Sequence, residues 1–231
     1  MDFIDTADSY GPFVSEDLIR EALHPYGHVR IATKAGFTRQ GPNVWTMCGQ
    51  PAYLRQCAEM SLRRLGVETI DLYQLHRIDP AYPLEDQVGL FADLVTEGKV
   101  RHVGLSEISV DDLAAAQAIT PIATVQNLYN VANRQSEALL DVCTEQGIGF
   151  IPWFPVASGQ VAAPDGPLAA IAARTGSTPA QLSLAWLLQR SPVMLPIPGT
   201  KSLAHVEENC AAALVALDGA TVAELDALAA P

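Results

Sequence analysis

Phe3-Ile4-Asp5-Thr6-Ala7-Asp8-Ser9-Tyr10-Gly11 reads as a short apolar strand that closes on an acid, with a tyrosine five residues further on. The same pattern recurs down the chain. Short apolar runs lie at 3–6, 29–34, 70–76, 100–106, 123–127, 148–154 and 193–198. Between them, residues 53–65, 84–97, 110–118, 135–146 and 179–190 have helical spacing; in the first of these, Leu54, Ala58, Leu62 and Leu65 share one face. Strand–helix alternation repeated this often predicts parallel strands joined by crossover helices. The runs are apolar on both faces, as strands covered on both sides must be.

Two α/β architectures compete for this pattern. A doubly wound sheet calls for a GxGxxG turn after its first strand. None is present, and Gly147-Ile148-Gly149 precedes a strand instead of opening a helix. A barrel gathers its chemistry at the C-terminal ends of many strands. The runs here end in Asp5, Lys34, His76, Ser106, Gln126-Asn127, Trp153 and Pro198-Gly199-Thr200, polar or aromatic almost throughout. The expectation is a TIM-type barrel with about seven parallel strands.

Composition sets the outer limits. The 231 residues are 49% apolar and 17% charged, enough to bury roughly 70–75% of the unfolded surface. With no Pro-, Gly- or Ser-rich linker, one domain over 1–231 is expected. A net charge of −12 argues against nucleic acid and anionic membrane, because phosphate binding needs clustered Lys and Arg. No apolar stretch approaches the ~18 residues of a membrane span, and no signal segment opens the chain. Cys48, Cys57, Cys143 and Cys210 form no CxxC and have no nearby His pair. Scattered reduced thiols in a cytoplasmic protein, and no metal site, are the expectation.

Asp5, Tyr10, Lys34 and His76 converge if consecutive strands lie side by side. A tyrosine, with a reference pKa of about 10, is a poor proton donor near neutrality. An ammonium beside it stabilises the phenolate, and a carboxylate keeps that ammonium charged and in place. A histidine could then orient the substrate oxygen. Each residue also has an ordinary reading: Asp5 as a cap or loop residue, Tyr10 as an interfacial aromatic, Lys34 as a solvated strand-end charge, His76 as a satisfied core side chain.

Taken together, 5–11, Ala32-Thr33-Lys34, 71–76 and Val103-Gly104-Leu105-Ser106-Glu107 resemble the aldo-keto reductase superfamily in order and spacing. The likeness continues through Val125-Gln126-Asn127, Trp153-Phe154-Pro155, 197–201 and Val206-Glu207-Glu208-Asn209, nearly the whole chain. The resemblance implies NADPH-dependent reduction of a small-molecule carbonyl on a (β/α)8 barrel, with Asp5, Tyr10, Lys34 and His76 as the catalytic tetrad. It implies that Ser106 and Gln126 hold the nicotinamide carboxamide and that Trp153, followed by Pro155, stacks on the ring. Gly199, Thr200, Lys201 and His205 fall in the segment that grips the 2′-phosphate, and Glu208 and Asn209 match the pair that contacts adenine. Ser202 reads as the N-cap of the helix through 206–209, whose N–H groups favour an anion.

Three positions depart from the usual pattern. Glu107 stands where many members have Asn, His205 where an arginine is common, and Trp153 where tyrosine is common. The likeness begins at the family's second strand, which implies exposed strand edges and either a monomer or a homo-oligomer that covers them. Trp45, within a loop over 36–50, with Arg77 and Tyr129, is expected to line the substrate pocket. The Leu75-to-Pro80 and Gly199-to-Lys201 patterns resemble bacterial pyridoxal reductases. A second reading keeps nicotinamide binding with little turnover, as in relatives that serve as channel subunits.

Overall fold

Apolar runs interrupted by amphipathic stretches fold into parallel strands covered by helices, and the chain is an α/β protein. The computed structural model describes residues 1–156, 163 and 165–229. They fall into two compact units, Met1–Val125 and Gln126–Pro231.

The first unit runs β1 (Phe3–Asp5), α1 (Val14–Leu23), β2 (Arg30–Ala35), β3 (Phe37–Gly41), β4 (Val44–Met47), α2 (Pro51–Leu65), β5 (Ile70–Leu75), α3 (Leu84–Thr96), β6 (Val100–Ser106), α4 (Val110–Gln117) and the start of β7 (Ile122–Leu128). The strand order is β1-β2-β5-β6-β7, and the first four pair in parallel. Asp5 aligns with Ala32, and Lys34 with Gln74, which in turn aligns with Gly104. Residues two apart on a strand share a face, so Lys34 points to the same side as Ala32, the residue level with Asp5. Pairing continues past β1 through Thr6 N–H to Ala32 O and Asp8 N–H to Lys34 O. That extension carries the chain to Tyr10.

Helices cover the outer face by the expected spacing. α2 buries Leu54, Ala58, Leu62 and Leu65, begins with proline and stops at Gly66 in the left-handed conformation, the usual asymmetry of helix ends. α4 starts with a reciprocal Ser109–Asp112 capping box. Across the layers, Tyr73 of β5 stacks on Phe91 of α3 with ring centroids 5.0 Å apart.

The second unit contains the end of β7, then α5 (Glu137–Gln146), β8 (Gly149–Trp153), α6 (Pro167–Thr175), α7 (Pro179–Arg190), α8 (Leu203–Ala211) and α9 (Gly219–Asp226). Its core centres on Trp186, whose ring stacks on Tyr129 and whose Nε1 donates to Asp226 at 2.9 Å.

Two expectations need correcting. The seventh run, 193–198, forms no strand; it makes a single parallel bridge, Phe150 with Met194. Pro196 and Pro198 have no N–H to donate, so the ladder cannot continue. The described strands of the main sheet number six. The stretch expected as a loop over 36–50 instead contains an antiparallel hairpin, β3–β4.

Candidate active site

Lys34 organises the site. It is fully buried, and its Nζ donates to Asp5 Oδ2 at 2.6 Å, to Thr6 O at 2.8 Å and to Tyr10 Oη at 3.4 Å. A buried ammonium is tolerated only where anions and carbonyls surround it, and Asp5, itself 4% exposed, supplies the anion. Gln74 Nε2 donates to the other Asp5 oxygen at 3.0 Å. Strand register accounts for Asp5, Lys34 and Gln74. Tyr10 is brought in by a tight turn in which Phe13 N–H donates to Asp8 O and Ser15 N–H to Tyr10 O. Gly11 in that turn has φ +86°, and a Cβ there would lie 2.9 Å from Val14 Cβ.

His76 follows β5, with its N–H on Ala35 O and its ring edge-on to Tyr10 at 5.9 Å. Burial, with Lys34 and then Arg77 adding repulsion, pushes its pKa down to about 2. The ring is therefore neutral at any working pH. Ser9 Oγ lies 3.5 Å from Nδ1; a hydroxyl donating there would leave the ring proton on Nε2.

The hairpin closes over this cluster. Trp45 lies 6.3 Å from Tyr10 and 6.4 Å from His76, and Phe37 lies 4.8 Å from His76. Arg39 stacks on Trp45 at 3.7 Å and donates to Ser9 O at 2.7 Å, pinning the hairpin to the Tyr10 segment. Arg77 donates to His76 O at 2.5 Å and to Ser106 Oγ at 2.9 Å; burial lowers its pKa and Glu107 opposes that. The first unit thus assembles Asp5, Tyr10, Lys34, His76, Trp45, Arg77 and Ser106. Phe37, Arg39, Ser9 and Gln74 are neighbours that the sequence reading missed. Of these Gln74 lies on β5, whose sequence also carries Asp71 and Tyr73, so the amide did not stand out.

In the second unit Gln126 is buried on β7, Trp153 closes β8 with its ring edge-on to Phe154 at 5.4 Å, and Pro155 is buried. Gly199, Thr200, Lys201 and His205 are exposed. Ser202 caps α8 by accepting from His205 N–H, and Thr200 Oγ1 accepts from Ser202 N–H at 3.1 Å. Asn209 Nδ2 donates to Pro198 O at 3.4 Å, and Glu208 accepts from Thr178 Oγ1. The segment 198–209 is therefore tied into one small structure. Tyr129 is different: it is fully buried, stacked on Trp186, with its hydroxyl donating to Glu137 at 2.5 Å. It is a core side chain, which corrects its expected place in a substrate pocket.

A tyrosine in the turn after β1 thus lies beside a buried Lys–Asp pair, with a neutral histidine facing it. Comparison with known proteins decides the matter, because the family model described as "Aldo/keto reductase family" matches residues 1–230. The chain belongs to the aldo/keto reductase family. Carbonyl reduction, in general terms, is the chemistry this membership brings. An uncharacterized oxidoreductase of Schizosaccharomyces pombe is 54% identical over 226 residues, 98% of this chain and 74% of the relative. Pyridoxine 4-dehydrogenase of Escherichia coli is 39% identical over 232 residues, 97% of this chain and 81% of that protein. Among solved structures, an aldo/keto reductase from Klebsiella pneumoniae in complex with NADP and acetate superposes with a TM-score of 0.85 at 30% identity, over 99% of this chain and 80% of that one. This aldo/keto reductase chain has the α/β fold of those relatives. Among the described residues no helix is long and apolar enough to cross a membrane, and no cluster of metal-ligating side chains occurs.

Proposed function

We propose that this chain reduces an aldehyde or ketone to the alcohol with NADPH, and that Tyr10 is the general acid. The observation that supports this most is the position of Lys34 Nζ, 2.6 Å from Asp5 Oδ2 and 3.4 Å from Tyr10 Oη. As Tyr10 gives its proton to the carbonyl oxygen, the ammonium stabilises the phenolate left behind. Asp5 holds the ammonium in place. His76, neutral because it is buried, donates a hydrogen bond to the same oxygen and orients it without competing as an acid. Trp45 and Phe37 of the hairpin exclude water and form an aromatic wall.

The donor set suits an anionic dinucleotide. Lys201 is exposed directly before the N-terminus of α8, where backbone N–H groups and the helix dipole favour a phosphate. Ser106 Oγ accepts from Arg77 and still has a proton to donate. The resemblance assigns Ser106 and Gln126 to the carboxamide, Trp153 to the ring, Pro155 to the cofactor site, the segment of Gly199, Thr200 and Lys201 with His205 to the 2′-phosphate, and Glu208 and Asn209 to adenine. When bound, NADPH supplies the hydride.

Likeness to pyridoxine 4-dehydrogenase makes pyridoxal the first substrate to assay, and Arg77 the first residue to test for its recognition. A single domain, a cytoplasmic setting and either a monomer or a homo-oligomer belong to the same proposal. Tyr10→Phe tests the core of it. NADPH binding, followed by tryptophan fluorescence, should be retained, and turnover should fall by at least about a hundredfold, the usual worth of a general acid. Undiminished turnover would remove Tyr10 from this role.

A further inference from the structure

Lys34, Gln74 and Gly104 sit level with one another on β2, β5 and β6. Gln74 is fully buried, and its amide is used unequally. Nε2 donates to Asp5 Oδ1 at 3.0 Å, whereas Oε1 has no hydrogen-bond partner. An apolar side chain would fill the same space without stranding an acceptor, so packing alone does not explain a glutamine at this position. Its neighbour keeps the space clear. A Cβ on Gly104 would lie 2.8 Å from Gln74 Cγ and 2.3 Å from Thr124 Oγ1. Glycine in the middle of a strand weakens it, and here it leaves Gln74 room to extend toward Asp5.

We propose that Gln74 is a positioning residue that acts through Asp5. Its amide fixes Asp5 Oδ1, so Oδ2 stays on Lys34, and Lys34 stays within reach of Tyr10. Gly104 makes that reach possible. This inference rests on the reading of Tyr10 as the proton donor. A carboxylate pinned at both oxygens cannot turn away from the ammonium, which is the kind of support that keeps a reacting group within a fraction of an ångström of its working position.

Substitution by Met, which keeps length and removes the donor, and by Glu, which donates only when protonated, separates positioning from packing. The assay is NADPH-dependent reduction of pyridoxal and a panel of simple aldehydes, from about pH 5 to pH 9. Gln74→Met should lower kcat roughly tenfold at every pH, with the KM for NADPH unchanged. Gln74→Glu should match the Met variant at high pH and climb toward the parent as pH falls, because two facing carboxylates share a proton and the shared proton replaces the amide N–H. Gly104→Ala, which crowds Gln74 from outside, should lower kcat as well, and thermal unfolding establishes that each variant is folded. Parent-like kcat in Gln74→Met, or identical pH dependence in the Met and Glu variants, would overturn the proposal while leaving Tyr10 in place. Full turnover in Tyr10→Phe, or no turnover by the parent on the panel, would overturn the proton-donor reading and this inference with it.

Discussion

Lys34 and Tyr10 separate two kinds of loss at the level of single residues. Lys34 is buried against a buried carboxylate, so Lys34→Met leaves Asp5 uncompensated. That variant should lose both turnover and about 3–5 kcal/mol of stability, measured by denaturant unfolding. Tyr10→Phe keeps the ring contacts with Trp45 and His76 and should unfold near the parent. His76 makes a third case. With its pKa near 2, it should contribute no limb to the pH–rate profile between about pH 5 and 8, where an ordinary histidine titrates; a limb that vanishes in His76→Gln would contradict this. Asp5, Tyr10, Lys34 and His76 were conspicuous in the sequence, as polar residues at or just past the ends of apolar runs. Gln74 was not, because a sequence does not show which atom of an amide faces which neighbour.

At the scale of elements, the β3–β4 hairpin sets the shape of the site. Phe37, Arg39 and Trp45 all belong to it, and its far end is held by Gly49 N–H on Asp79 Oδ2 at 2.8 Å. A Cβ at Gly49 would lie 2.3 Å from Gln87 Oε1. Gly49→Ala should therefore cost about 1–3 kcal/mol by overpacking and raise the KM for aromatic aldehydes. An unchanged KM would show that the hairpin does not shape the pocket. At the other cluster, Lys201→Ala should weaken NADPH binding roughly tenfold, the worth of one charge-assisted hydrogen bond, with NADH affinity unchanged; fluorescence titration reads both. Most helices were readable from their period. The hairpin was not, because residues 37–47 alternate weakly and its strands are largely exposed. Run 193–198 looked like a strand by composition, but its prolines end the ladder after one bridge.

For the whole molecule, two buried groups pull stability in opposite directions with pH. Asp8 is buried, and burial raises its pKa from 3.8 to about 7, with the hydrogen bond from Cys57 and the charge of Arg64 opposing and Glu16 adding to the rise. Between those values the folded protein holds a proton the unfolded chain has lost, so stability falls as pH rises from about 4 to 7. His76 works the other way: below pH 6.5 the unfolded chain takes up a proton that the folded protein refuses down to about pH 2. Asp8→Asn removes the first effect. Its stability relative to the parent should be greater at pH 8 than at pH 4, by at most about 4 kcal/mol, as read from unfolding at the two pH values. A difference that does not change with pH would rule this out.

By itself the sequence determined the α/β class and the parallel strands, because periodicity is a local property of the chain, and it made Asp5, Tyr10, Lys34 and His76 candidates by their place at or just past the ends of apolar runs. Tertiary structure alone decided that Lys34 faces both Asp5 and Tyr10, that Gln74 supports Asp5, that Tyr129 belongs to a core and that 193–198 stops at one bridge. Those outcomes depend on strand register, on burial and on the space a neighbouring glycine leaves. All three arise only when distant segments pack together.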